Sequence, residues 1–521
     1  MEDTGGRVSE GVGRDVGQGR GARGECILLA TAQFVELLIL FHFIFLTFQS
    51  TNQQITDLGF GFMSQPNILF IFDDQHRYSA MGSSGNPVIQ TPHFDRMASE
   101  GIVLDQVFSS CPICSPYRGQ LMTGRYSHKN GVMDNEYLLR QDQALLPQAL
   151  GEQGYHTAFI GKWHLGYPPF TEKNRFGFDY MAAYGCNHDY YKVSYFENEH
   201  GPIKINGWAP EKETSLAIRF MEDHVKNQPD QQFAMVMGWG PPHWPYDQYP
   251  DEYNIYDPDE VDLPPNVPDQ FASFARQEIA DYYGNVTALD AQMGRIMDAL
   301  DRMDLRENTL LIFTSDHGDH LSSHGYGKPM DRWMHPSFRA SKATPFEESI
   351  HVPFIARWPG HIKPGTSNDA MVSSVDLMPT LLKIAGCDLA GDMQGHDRSH
   401  ILLDKEGPRA DSVYLQILGP GWPHRGDWVG YWRGIRTDRW LYARWYKNEY
   451  GPLLFDRASD PYEMDNLAGD PDYTRIQTEL EARLKKWIQD TDDPFDSGPR
   501  DGETRMLVLG QEFNDDRYNN V

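Results

Sequence analysis

The chain has 521 residues, 40% hydrophobic and 23% charged, with 46 basic against 74 acidic side chains and a formal net charge of −28. The length excludes a small stapled scaffold and suggests one large domain and a smaller one, each with its own core. The charge excludes general nucleic-acid binding, which needs a basic face, and means that an anionic substrate would need a local cluster of cations to hold it.

Residues 1–65 begin with a Gly- and Arg-rich stretch that reads as disordered, followed by CILLATAQFVELLILFHFIFLTF (26–48). That run is long enough to span a bilayer, but Gln33, Glu36 and His42 interrupt it. Two readings stand. It is a signal or anchor segment, giving an exported or membrane-anchored protein, or translation starts at Met63 and the protein is cytoplasmic. From Pro66 the pattern alternates. NILFIF (67–72) is a continuous apolar run and predicts a buried strand, followed by a helix over 92–100 and a strand at IVLDQVF (102–108). Helices are expected at 115–124 and 146–153, a strand at YHTAFIG (155–161), a helix at 211–226 and a strand at FAMVMGW (233–239). A long amphipathic helix covers 269–303, with Gly284 as a candidate break. Strands follow at TLLIFTS (309–315) and VPFIARW (352–358), then a helix at 374–386. This alternation predicts an α/β fold: a large, mostly parallel sheet with helices on both faces, over 66–400. WVGYWRGIRTDRWLYARWY (428–446) alternates and is aromatic-rich, with turn signals at Asp438 and Gly451, so it predicts antiparallel hairpins. With a helix at 472–489 it makes a smaller C-terminal α+β domain over 401–495, and 496–521 is a tail.

In open α/β sheets ligands bind beyond the carboxyl ends of the strands. Asp73 and Asp74 follow the first strand, Lys162 and His164 follow YHTAFIG, His243 follows FAMVMGWG, and Asp316 and His317 follow TLLIFTS. Adjacent aspartates can simply cap a turn. Four strands ending in charged or imidazole groups describe a site. Asp73 and Asp74 repel each other unless a cation lies between them, and a carboxylate-rich set with Asp316 and His317 suits a hard cation such as Ca²⁺ or Mg²⁺. Lys162, His164 and His243 suit oxyanion binding and proton transfer.

Five cysteines at irregular spacing (Cys26, Cys111, Cys114, Cys186 and Cys387) imply no disulfide framework, and no CxxC…CxxC pair offers a zinc site. CPICSPYRGQLMTGR (111–125) puts Cys114 at a helix start, where anions are favoured and a thiol's pKa falls. A redox CxxC and a structural cysteine pair both fit that local pattern, but neither explains the aspartates.

Cys114-Ser115-Pro116-Tyr117-Arg118 matches the CxPxR core of the type I sulfatase signature, and Leu121-Met122-Thr123-Gly124-Arg125 continues it. DDQ after the first strand, GKWHLG (161–166), PPHWPY (241–246), TSDHGD (314–319), KATPFEES (342–349) and LLFDRASDPYEMDNLAGDP (453–471) also resemble segments of that family, across about residues 66–490. The resemblance implies a formylglycine-dependent sulfatase of the alkaline-phosphatase-like superfamily. It implies that a maturation enzyme oxidises Cys114 to formylglycine, whose hydrate is the nucleophile. It implies one Ca²⁺ held by Asp73, Asp74, Asp316 and His317 and touched by residue 114, although the family often has Asn at the His317 position. Arg118 would stabilise the deprotonated hydroxyl, and Lys162 and Lys342 would bind sulfate oxygens. His164 would orient the diol and His243 protonate the leaving alcohol. The chemistry is coherent: a second hydroxyl lets the sulfated diol collapse to the aldehyde and eject sulfate, where a serine would be left stably sulfated.

The chain departs from many relatives in a long insert, HLSSHGYGKPMDRWMHPSFRAS (320–341), where Lys328 rivals Lys342 for sulfate. Arg332, Trp333, His335 and Arg339 make the insert either a substrate subsite or a surface loop. The competing functions are a phosphonate monoesterase or phosphodiesterase of the same superfamily and a non-catalytic binding protein on this fold. The intact Cys114, Arg118 and both lysines argue against the binding protein. The aromatic stretches 177–199 and 419–432 suit sugar stacking or ordinary packing, so a sulfated carbohydrate is the substrate class expected. Asn285-Val286-Thr287 is a glycosylation sequon inside the predicted long helix, a poor place for one.

Overall fold

The computed structural model describes residues 65–497 except 136, 326–341, 390, 419–430 and 447–450. The segment 26–48, Lys328, the Arg332–Arg339 part of the insert and most of 419–432 therefore lie outside the described residues. Among the described residues no helix is long and apolar enough to cross a membrane.

Among the described residues seventeen strands follow in chain order. They are β1 (Asn67–Asp74), β2 (Ile102–Leu104), β3 (Val107–Phe108), β4 (His156–Lys162), β5 (Tyr180–Tyr184), β6 (Ser194–Glu197), β7 (His200–Lys204), β8 (Phe233–Pro242) and β9 (Thr309–Ser315). Then come β10 (His351–Val352), β11 (Phe354–Arg357), β12 (Thr366–Asn368), β13 (Val372–Ser373), β14 (Val413–Ile417), β15 (Trp432–Arg436), β16 (Trp440–Trp445) and β17 (Leu453–Asp456). The longer helices are α1 (Pro92–Ser99), α2 (Cys114–Thr123), α3 (Leu146–Glu152), α4 (Ala209–Asn227), α5 (Ala272–Arg302), α6 (Leu377–Ile384) and α7 (Thr474–Asp490).

Ten strands form the main sheet in the order β12-β2-β11-β9-β1-β8-β4-β5-β6-β7. Its centre, β9-β1-β8-β4-β5, is parallel throughout. Buried parallel strands read as unbroken apolar runs because both faces are covered, and β1 is buried along its whole length. Phe70, Phe72, Phe159 and Ile312 pack on one face against Tyr117 and Leu121 of α2 and Leu381 of α6. Leu69, Ile71, Ile160 and Phe313 pack on the other against Phe94 of α1, Met221 of α4 and Met293 of α5.

The small C-terminal sheet, β14-β15-β16-β17, is antiparallel. One face packs on Leu480, Leu484 and Ile488 of α7. The other packs on Phe108, Ile113, Phe346 and Ile350 of the main body.

Three expected elements differ. The strand expected at 102–108 is two short ones, β2 in the main sheet and β3 in a three-stranded sheet with β10 and β13. VPFIARW divides in the same way between β10 and β11. α5 runs unbroken past Gly284, where a Cβ would lie 2.5 Å from the Tyr249 ring. That glycine makes room for a neighbour and does not end the helix. β5 and β6 lie in the aromatic stretch, whose Tyr184, Tyr190 and Tyr195 are buried, and β7 follows directly after it; none of the three was expected as a strand.

Candidate active site

The carboxyl ends of four neighbouring strands, β9, β1, β8 and β4, carry the polar residues noted in the sequence. Two glycines let the chains close at this edge. Gly161 has φ +101° and a Cβ there would meet the Gly238 carbonyl oxygen at 2.3 Å, while a Cβ on Gly238 would press on Lys162 and Arg118.

Cys114 is the first residue of α2, a helix buried along all ten residues. The free amide of Ser115 donates to Asn135 Oδ1 at 3.0 Å, so part of the helix N-terminus is satisfied by a side chain. Cys114 Sγ lies 3.0 Å from Lys342 Nζ, 3.3 Å from His317 Nε2 and 3.4 Å from Asp74 Oδ1. Its thiol is free, as is that of Cys111, so the described residues hold no CxxC disulfide.

Asp74 is the hub. Its Oδ2 takes Lys162 Nζ at 2.7 Å and Arg118 Nη2 at 2.9 Å. Arg118 Nη2 also donates to Asp316 Oδ2 at 3.1 Å, Nη1 donates to the Lys162 carbonyl, and the guanidinium lies over the Phe72 ring. Burial alone would raise the Asp74 carboxyl, but Lys162, then His243, Lys342 and Arg118, hold it well below the usual carboxylate range. Asp316 moves the other way: burial, then the charge of Asp74, pushes it up to about 7.

Asp74, Cys114, Asp316 and His317 each offer a ligand atom, all within 4.8 Å of one another. His317 Nδ1 is engaged by the Gly318 carbonyl at 2.9 Å, which leaves Nε2 facing the cluster. Asp73 stands beside this group. Its Oδ2 pairs with His76 Nδ1 at 2.7 Å, and its Oδ1 is buried without a hydrogen-bond partner. Three carboxylates, one of them with an orphaned oxygen, and an imidazole fit a hard divalent cation such as Ca²⁺.

Lys342 Nζ is held by Gln75 Oε1 at 2.9 Å, and Gln75 Nε2 in turn donates to Asp319 at 2.7 Å. His164 sits at φ +55° with its carbonyl taking the Ser115 hydroxyl at 2.7 Å and its Nδ1 buried without a partner. His243 Nδ1 engages the Trp244 carbonyl at 2.7 Å. Burial, then the charges of neighbouring groups, holds both imidazoles well below their ordinary value. All ten sequence candidates thus gather at one edge, with Asp73 on its margin. Sequence reasoning missed Gln75 as a holder of Lys342, and His188, whose ring lies 4.0 Å from that of His243. His188 sits after β5, the strand with no clear signal, so the rule of reading beyond strand ends never reached it.

A model of the sulfatase family matches residues 66–387. The chain belongs to the sulfatase family. A second model, of the C-terminal part of N-sulphoglucosamine sulphohydrolase, matches residues 340–490 of this sulfatase. It is similar to an ulvan-active sulfatase of Formosa agariphila, 32% identical over 83% of each chain. It is 29% identical to an endo-4-O-sulfatase of Bacteroides thetaiotaomicron, over 82% of this chain and 93% of that one. A solved structure in complex with its substrate D-glucosamine-2-N,6-O-disulfate superposes with TM-score 0.74 and 26% identity, covering 84% of this chain and all of that one. The fold and the enzyme class expected from the motifs are both borne out by these likenesses.

A second cluster in the sulfatase, His324, Glu348 and Glu463, also has metal-ligand spacing. Its groups are already paired. Glu348 takes Asn266 at 2.7 Å and His324 at 3.3 Å, and Glu463 takes Arg457 at 3.2 Å and the Glu347 amide at 3.0 Å. It ties the C-terminal segment to the body.

Proposed function

We propose that this sulfatase hydrolyses the sulfate ester of a sulfated carbohydrate, with residue 114 carried as formylglycine and one Ca²⁺ held by Asp73, Asp74, Asp316 and His317. The observation that carries the reading is the position of Cys114. It is buried at a helix N-terminus, within 3.4 Å of a lysine, an imidazole and a carboxylate that belong to three other segments. The sugar class rests on what two relatives are named for, ulvan and a glucosamine disulfate. The same relatives do not favour the phosphonate alternative.

A formylglycine at residue 114 would supply the nucleophile when hydrated, and a cation held by Asp73, Asp74, Asp316 and His317 would supply positive charge beside it. The chain's own residues do the rest. Lys162 and Lys342 bracket residue 114 and supply two fixed positive charges for the sulfate oxygens, and Arg118 supplies a third behind them. His164 is set to orient the group at residue 114. With Nδ1 of His243 committed to the Trp244 carbonyl, Nε2 is the ring atom that hands a proton to the departing alcohol. An arriving sulfate anion favours the protonated ring, which burial and the lysines suppress in the resting site. Maturation requires a formylglycine-generating enzyme as a partner.

Mass spectrometry of the peptide containing Cys114, on protein from its native source, tests the reading. An aldehyde in place of the thiol is expected. Cys114→Ala should lower turnover of an aryl sulfate by about three orders of magnitude or more. An unmodified thiol in fully active protein overturns the formylglycine, and faster turnover of a phosphonate monoester than of an aryl sulfate overturns the substrate class.

A further inference from the structure

His243 has a neighbour that no motif pointed to. The imidazole of His188 lies face to face with that of His243, with centroids 4.0 Å apart and planes 12° from parallel. His188 is itself held. Its Nε2 is 3.3 Å from Cys186 Sγ, and its Nδ1 is sealed from solvent. The same loop is anchored to the strand end it faces: the Tyr190 hydroxyl lies 2.9 Å from both the Gly240 and the His243 carbonyl oxygens. His243, by contrast, makes one ring hydrogen bond among the described residues, to the Trp244 carbonyl. One such bond fixes a nitrogen but lets the ring tilt about it. A flat ring in van der Waals contact with one face removes that freedom.

We propose that His188 is a positioning residue of the leaving-group step: its ring holds the imidazole of His243 in the plane that aims Nε2 at the ester oxygen. The inference rests on the reading of His243 as proton donor. Nε2 of His188 lies against Cys186 and Nδ1 is buried, and the contact by which it reaches His243 is the ring stack. Alignment is worth having here because a positioned general acid contributes roughly 10²–10⁴ in rate. A displacement of about 1 Å can forfeit about 100-fold.

The test uses the matured enzyme and a series of aryl sulfates from 4-nitrophenyl to unsubstituted phenyl. These share one shape and differ in how much the leaving oxygen needs a proton. Wild type should show a shallow dependence of kcat on leaving-group acidity. His188→Leu fills the same space without a flat face. It should steepen the dependence, lowering the phenyl/4-nitrophenyl kcat ratio about tenfold or more, a part of the general-acid contribution. His188→Phe restores a flat ring and should recover most of that ratio. An equal loss on every ester, a change in KM alone, or a His188→Phe enzyme no better than His188→Leu overturns the proposal. His243→Ala reports on the underlying reading separately. If it lowers all esters equally, His243 is not the proton donor, whatever His188 does.

Discussion

Asp74 shows at the scale of one residue why this site works only as a group. It is fully buried, yet it stays ionised because Lys162 and Arg118 reach one of its oxygens at 2.7 and 2.9 Å. Neither cation is near it in sequence. Glu213, on α4, is the opposite case. It is 2% exposed beside the Tyr184 hydroxyl, and burial pushes its carboxyl up to about 8 from 4.5. Its folded-state pKa lies above the unfolded one, so the folded protein binds the extra proton between about 4.5 and 8. The stability that depends on that proton is complete below this window and is lost as pH rises through it. Glu213→Gln keeps the shape and removes the titration. The variant should therefore gain on wild type as pH rises, its melting temperature improving by about 2 °C or more between pH 5 and pH 8. An identical gap at both pH values would show that Glu213 does not titrate in the fold. Cys114, Arg118 and the strand-end aspartates were legible as residues because they stand in motifs and at strand ends. His188 was not, because a histidine in a loop means nothing until the loop is folded against His243.

At the scale of elements, the polar strand ends noted in the sequence meet because parallel neighbours in one sheet must finish on the same edge. β1 pairs with β9 through Asp73 and Ser315, which brings Asp74 and Asp316 from 242 residues apart onto the same edge. Periodicity fared worse for short segments. IVLDQVF reads as one strand interrupted by Asp105 and Gln106, and nothing local says that Ile102–Leu104 and Val107–Phe108 join different sheets. A cation bridging the ends of β1 and β9 should stabilise both. At 100 times its dissociation constant a ligand adds about 2.7 kcal/mol. Exhaustive chelation should therefore lower the unfolding midpoint by a comparable amount and abolish aryl sulfate turnover, and added Ca²⁺ should restore both. Unchanged midpoint and turnover after chelation would remove the cation from this site.

At the scale of the whole molecule, a buried ion pair within the C-terminal segment is met by a histidine of the main body. Arg433 of β15 makes two hydrogen bonds to Asp493, at 2.7 and 2.9 Å, and His128 of the main body lies 3.3 Å from the same carboxylate. Burial would raise Asp493, but Arg433 holds it down to about 2. Removing one partner of such a pair strands the other without water. Asp493→Ala should cost about 3–5 kcal/mol, read as a lower urea midpoint, and a loss below 1 kcal/mol would show that Arg433 finds another partner. The sequence by itself determined the layered α/β class, the polar strand ends that meet at one sheet edge, and the motif around Cys114, because those depend on local apolar runs and on residue types. Only the tertiary structure decided which strands are neighbours, that Lys342 and Gln75 close over Cys114, and that His188 lies against His243. Those contacts join segments tens to hundreds of residues apart, and their geometry is fixed by the packing of both sheet faces, which no local pattern encodes.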